Sequence, residues 1–194
     1  MAHDELTRKD IEAVFSLEQH RREEADELES LTAIVLSKIR GGVWHTTNSQ
    51  RYQAILRTGS ILPEPEISNS DRWGATMGIN HYPYVRSLGG VSLFDFREFD
   101  PEGYSNAYPL SSWREFVPYR TEWGEAVWIE IDVSRVGSGF ISGAGLLARW
   151  KTEQSRNRFM PLIEAAHIGA LPQNAFKQVF TVRKWNTSFL LEPV

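Results

Sequence analysis

The chain has 194 residues, enough for one large domain or two small ones. Hydrophobic residues make up 41% and charged residues 24%, which argues against wholesale disorder, and 21 basic against 25 acidic side chains (net charge -4) argue against a generally basic nucleic-acid binder. Cysteine is absent, which excludes disulfides, thiol nucleophiles and every cysteine-ligated metal site.

Aromatic residues reach 12%, a surplus that can fill a core and leave rings to stack on a planar ligand. The longest apolar stretches, such as Leu31 to Leu36, are far too short to span a bilayer. Met1 to Asp10 shows no basic segment followed by an apolar core, so a cytoplasmic location with no membrane partner is expected.

The first predicted element is helical. Thr7 to Arg40 contains neither Pro nor Gly; Thr7 with Asp10 three residues on resembles an N-cap with an acidic N3, and Gly41 is placed for the C-cap. Ile11, Val14, Phe15 and Leu17 share one face, and Leu28, Leu31, Ile34, Val35 and Ile39 form a second apolar set. Glu18 to Glu27 between them is almost wholly polar. This reads as one long helix or two, docked at both ends and solvated in the middle. It gives an N-terminal helical extension over residues 1–40 and a second unit over 41–194. The alternative use of the extension is an arm that recruits a protein partner.

From Gly42 onward short strands alternate with turns. Val43 to Thr46 reads as a strand, and Ser49 to Arg57 as a helix capped by Asn48 or Ser49, with Tyr52, Ile55 and Leu56 inward and Gly59 at its end. Glu64 to Gly78 and Asp100 to Ser112 read as long loops, and Val91 to Phe96 as a strand entered through Gly89-Gly90. Ala126 to Val133 alternates Val127, Ile129, Ile131 and Val133 against Trp128, Glu130 and Asp132, the pattern of a half-solvated strand. Pro161 to Ala166 and Gln178 to Arg183 supply two more strands. The fold class is α+β.

Three constellations carry candidate chemistry. In Val43-Trp44-His45-Thr46-Thr47 a histidine ends a strand, and the helix that follows runs through Ile55-Leu56 to Gly59. In Gly90-Val91-Ser92-Leu93 a serine stands on a strand, with Arg86 just upstream able to hold a pyrophosphate through paired hydrogen bonds and Tyr82 and Tyr84 able to stack on a base. In Met160-Pro161-Leu162-Ile163-Glu164 a carboxylate interrupts an apolar strand, so Glu164 is expected to face solvent, a partner or a ligand. Each has a plainer reading: a half-buried, satisfied histidine, an ordinary Gly-Gly turn, and an aromatic loop His81-Tyr82-Pro83-Tyr84 packed on the domain. Glu130 and Asp132 compete with Glu164, which is preferred for its apolar setting. Arg149, Arg156 and Arg158 border a polar segment that reads as a target-facing loop or a solvated connection. His167, three residues beyond Glu164, falls on the opposite strand face and reads as supporting or structural.

Other chemistries find no support. There is no Gly-x-x-x-x-Gly-Lys-Ser/Thr or Gly-x-Gly-x-x-Gly fingerprint, and the five histidines lack metal-ligand spacing. Gly137-Ser138-Gly139 and Gly143-Ala144-Gly145 read as loops, not as a nucleophile elbow.

Taken in order, the His45-Thr46 strand, the helix ending at Gly59, the Ser92 strand and the Glu164 strand resemble the ADP-ribosyltransferase superfamily, particularly its DarT-like and RNA 2'-phosphotransferase-like members. Thr46 stands where many relatives have Gly. The resemblance implies a split antiparallel β-sheet core with NAD, as substrate, in the cleft. It implies that His45 anchors the adenosine ribose, the Thr46 backbone holds the nicotinamide amide, Ser92 braces the site and Glu164 is catalytic; Arg86 and Tyr84 complete the cofactor contacts. It further implies transfer of ADP-ribose to a macromolecular acceptor, nucleic acid or protein, and several bacterial members of the group are toxins or phage-defence effectors. The alternatives are a non-catalytic binding module on the same scaffold and an NAD-dependent RNA 2'-phosphotransferase, for which Arg86 and Arg51 are the available phosphate ligands.

Overall fold

The structure is a computed structural model and describes residues 8–75, 78, 82–185 and 188–193; Thr7 and His81 lie outside them. The Pro- and Gly-free opening forms one helix, α1 (Arg8–Ile39). Gly41 ends it at a φ of 82°, a left-handed conformation that costs glycine little, and its amide donates to the Phe96 carbonyl at 2.9 Å. The Trp44 indole donates to the Ile39 carbonyl at 2.7 Å, tying the helix end to the first strand.

Only the later part of α1 is docked. Leu31, Val35 and Ile39 are buried, whereas Val14, Phe15 and Leu17 are 50–67% exposed. The expectation of docking at both ends is therefore corrected. A helix of 32 residues is ~48 Å long, and the apolar layer beneath it meets only its last turns. Lys184 reaches back no further than Glu24, with which it forms an ion pair.

Among the described residues nine strands follow the helix: β1 (Val43–Thr47), β2 (Ser60–Ile61), β3 (Gly90–Asp95), β4 (Glu125–Ile131), β5 (Phe140–Ile141), β6 (Glu164–Ile168), β7 (Leu171–Pro172), β8 (Phe176–Trp185) and β9 (Ser188–Pro193). Seven form one sheet in the order β5-β6-β3-β1-β4-β8-β9, while β2 and β7 pair separately. Every ladder is antiparallel. Side-chain alternation gives each face its own core. Val43, Leu93, Val127 and Ile129 face α2 (Ser49–Thr58) through its Tyr52 and Ile55. Trp44, Phe94, Phe96, Trp128 and Phe180 face the end of α1 and the rings of Trp113 and Phe116.

Because β4 sits inside the sheet with cover on both faces, it is not half-solvated. Glu130 is 7% exposed, bonded by Lys177 at 2.8 Å and Gln178 at 2.7 Å, and Asp132 caps the turn that follows through Ser134. Two expected loops are helical at their cores. Asp100 caps α4 (Pro101–Ala107), where Pro occupies the first turn without sacrificing a hydrogen bond, and Ser142 caps α5 (Gly143–Thr152). A short helix, α3 (Tyr84–Ser87), leads into β3.

Candidate functional site

The seven-stranded sheet is nearly two sheets. β1 and β3 pair only at Val43–Asp95 and Trp44–Phe94, then part. β1 continues alongside β4 through Thr47, and β3 alongside β6 from Phe94 back to Gly90. The opening lies between His45-Thr46 on one side and Ser92-Leu93 on the other.

One hydrogen bond spans it. His45 Nδ1 lies 3.0 Å from the Ser92 carbonyl. A carbonyl only accepts, so Nδ1 carries the proton and Nε2 is left as an acceptor. Burial lowers the His45 pKa; the Ser92 bond opposes this and the Arg51 charge adds to it. The ring is thus held neutral. Thr46 beside it is 9% exposed, and its hydroxyl oxygen is buried and finds no partner among the described residues.

On the other strand, the exposed Ser92 donates its hydroxyl to Glu164 Oε1 at 2.8 Å. The Met160 amide donates to Glu164 Oε2 at 2.9 Å. Glu164 is 1% exposed, so of the surroundings expected for it open solvent is excluded: it points into the molecule. Burial raises its pKa to about 7 against the pull of the Met160 and Ser92 bonds. Strand alternation places Thr46, Ser92 and Glu164 on one sheet face, the face of Trp44 and Phe94. By the same alternation His45 falls on the opposite face, beside Ile129, and reaches the Ser92 carbonyl across the parting, so imidazole and carboxyl are linked through Ser92 rather than in direct contact.

The turn before β6 sets the carboxyl's position. Leu162 adopts a φ of 65°, and the Ile163 amide donates to Pro161 at 2.8 Å. Its carbonyl closes on the start of α5 so tightly that a Cβ at Gly143 would lie 1.6 Å from Leu162 O. This contact was not legible in the sequence, where Gly143-Ala144-Gly145 has only the signature of a loop. Ser142 before it, as a helix cap, was the available signal.

Two candidates stand differently from expectation. Tyr84 is 1% exposed, donates to Glu153 at 2.7 Å and packs edge-on against Phe159, so no ring face remains for a ligand; the stacking role is corrected. Its apolar neighbours Val85, Leu146 and Ala166 are what draw it inward. Arg86 is already engaged: Glu64 accepts from it at 2.7 and 3.0 Å, and its guanidinium lies 3.7 Å from the Tyr82 ring centre. His167 lies on the opposite face, 3.3 Å from the carbonyls of Val136 and Gly169, as a structural histidine would.

A cleft of about 490 Å³ opens behind the Leu162 turn, between Asp95, Phe99, Tyr104, Tyr108, Ser142 and Leu162. Neither His45, Ser92 nor Glu164 lines it. Among the described residues no group of three or more His, Asp and Glu could hold a metal ion, and no helix is long and apolar enough to cross a membrane. The chain matches no known family model and no curated protein.

Proposed function

We propose that this chain is an NAD-dependent ADP-ribosyltransferase with the split-sheet architecture of the superfamily it resembles. The observation that supports this reading is the line of contacts from His45 to Ser92 to Glu164 across the parted strands, joining segments 47 and 72 residues apart. His45 Nε2 accepts from a hydroxyl of the adenosine ribose. The Thr46 backbone holds the nicotinamide amide, with the unpartnered hydroxyl beside it. Ser92 keeps the Glu164 carboxylate aimed at the second ribose.

In the reaction the bond from ribose C1 to the nicotinamide nitrogen breaks, and its electron pair leaves with neutral nicotinamide. Positive charge develops at C1, where ionised Glu164 stabilises it. The nucleophile of a macromolecular acceptor, nucleic acid or protein, bonds to C1 and gives its proton to Glu164. Transfer therefore rises with pH through about 7, the pKa of that carboxyl. The burial of Glu164 favours a second reading, a binding module on the same scaffold that performs no transfer.

The test is nicotinamide release by wild type, Glu164→Gln and His45→Ala over a range of NAD concentrations, with candidate acceptors supplied. Glu164→Gln is expected to lose about a hundredfold or more in rate with little change in NAD affinity. His45→Ala is expected mainly to weaken NAD binding. Equal release by all three sinks the site, and NAD binding without release by wild type turns the assignment to the binding module.

A further inference from the structure

Four arginines that the sequence scatters form a row, and one of them, Arg51, reaches His45 at the parted strands through its charge. Arg86 and Arg72 converge on one carboxylate: Glu64 accepts from Arg86 at 2.7 and 3.0 Å and from Arg72 Nη1 at 2.7 Å. The two arginine side chains are only 15% and 12% exposed, whereas Glu64 is 54% exposed. The acid therefore sits as a cap on the solvent side of two sunken guanidinium groups. Next in the row, Arg51 donates to the Asp71 carbonyl at 2.7 Å, and Arg51 and Arg120 both approach the Trp123 ring, at 5.4 and 5.2 Å. Burial lowers the Arg51 pKa, Asp71 opposes this, and the charges of Arg120 and Arg72 lower it further; these three cations thus share one neighbourhood, and Glu64, held by both Arg72 and Arg86, joins Arg86 to it.

Arg72 spends its Nε and Nη2 on the Ile67 and Pro65 carbonyls, but Arg86 and Arg120 keep donors to spare. Among the described residues Arg86 Nη1 and Arg120 Nε are buried and find no partner. The acids beside the row include, besides Glu64, Asp71, whose carboxylate accepts from Ser68 at 2.9 Å, and the 68%-exposed Glu122, which accepts from Arg120 at 3.1 Å. A guanidinium fork with a second guanidinium beside it, Arg86 bidentate and Arg72 through Nη1 alone, is a geometry that binds a doubly charged oxyanion, and a carboxylate is the side chain best able to imitate one.

We propose that Arg72 and Arg86, with Arg51 and Arg120 beside them, form a site for a phosphate-class dianion, and that Glu64 occupies this site in the free chain as an internal competitor. Glu64 then sets the affinity, because ligand must displace it and also overcome its repulsion. The site stands on its own geometry; that its occupant is the pyrophosphate of NAD rests on the function proposed above.

Calorimetric titration of the full chain with inorganic pyrophosphate tests it. Glu64→Gln is expected to bind on the order of tenfold tighter than wild type, the worth of a charged hydrogen bond no longer in competition. Adding Arg86→Ala to Glu64→Gln is expected to abolish the gain. If Glu64→Gln fails to fold, Glu64→Asp keeps the charge but shortens its reach, and should tighten binding by a smaller factor. Binding no tighter than wild type in the folded variant makes Glu64 an ordinary ion-pair partner and overturns the proposal. A parallel titration with NAD separates the two readings. Tighter pyrophosphate binding without any NAD binding keeps the anion site and sinks the NAD assignment. NAD binding equal in wild type and Glu64→Gln, with pyrophosphate unaffected, sinks the competitor and leaves the NAD assignment standing.

Discussion

Replacing Glu164 by Gln should stabilise the folded protein in alkaline solution while leaving it nearly unchanged in acid. The carboxyl is 1% exposed, and its pKa is raised from 4.5 to about 7 by burial. The folded chain holds this proton after the unfolded chain has released it. Its contribution is complete below the unfolded value and is lost as pH rises through the folded one. Integrating between these two values, ionisation of Glu164 costs about 2.5 kcal/mol between about pH 5 and pH 8. Gln carries no such proton, yet it satisfies the same partners: its carbonyl oxygen accepts from the Met160 amide and its NH2 donates to the Ser92 oxygen. The assay is urea or thermal unfolding of wild type and variant side by side, so that every other titrating group cancels. The variant's advantage should grow by about 2.5 kcal/mol across this window, a shift in Tm of about 5–10 °C for a chain of this size. A difference that does not change with pH would refute the reasoning. It would mean that Glu164 is solvated or is ionised throughout.

Two further perturbations test the fold that holds the site. Deleting residues 1–40 strips Leu31, Val35 and Ile39 from the sheet and should destabilise the remainder by about 5 kcal/mol or more, from the burial of three aliphatic side chains; deleting only residues 1–22, where Val14, Phe15 and Leu17 are exposed, should leave the melting curve within about 0.5 kcal/mol of wild type. Gly143→Ala drives a methyl to within 1.6 Å of the Leu162 carbonyl and should cost about 3 kcal/mol or more, whereas Gly145→Ala, whose nearest neighbour is the Ser142 hydroxyl at 3.3 Å, should change stability by less than about 1 kcal/mol; equal melting of the two variants contradicts the turn geometry.

Local chemistry made much of this protein readable in its sequence. Thirty-odd residues free of Pro and Gly form α1, Asn48 and Gly59 bound α2, and alternating apolar residues mark β4, because caps, breakers and periodicity act within a few residues of one another. His45, Ser92 and Glu164 are legible for the same reason, as polar residues set into short apolar runs. Periodicity tells which residues share a face, but not what covers it. That Glu164 points inward depends on the Met160 amide and on Ser92 brought from a distant strand. That Tyr84 is sealed depends on Leu146 and Phe159, and that β4 is dry on both faces depends on α1 and α2 packing on opposite sides of the sheet. The grouping of Arg51, Arg72, Arg86 and Arg120 follows from the same long-range assembly. Burial and electrostatic environment are properties of neighbours in space, and only the folded chain chooses those neighbours.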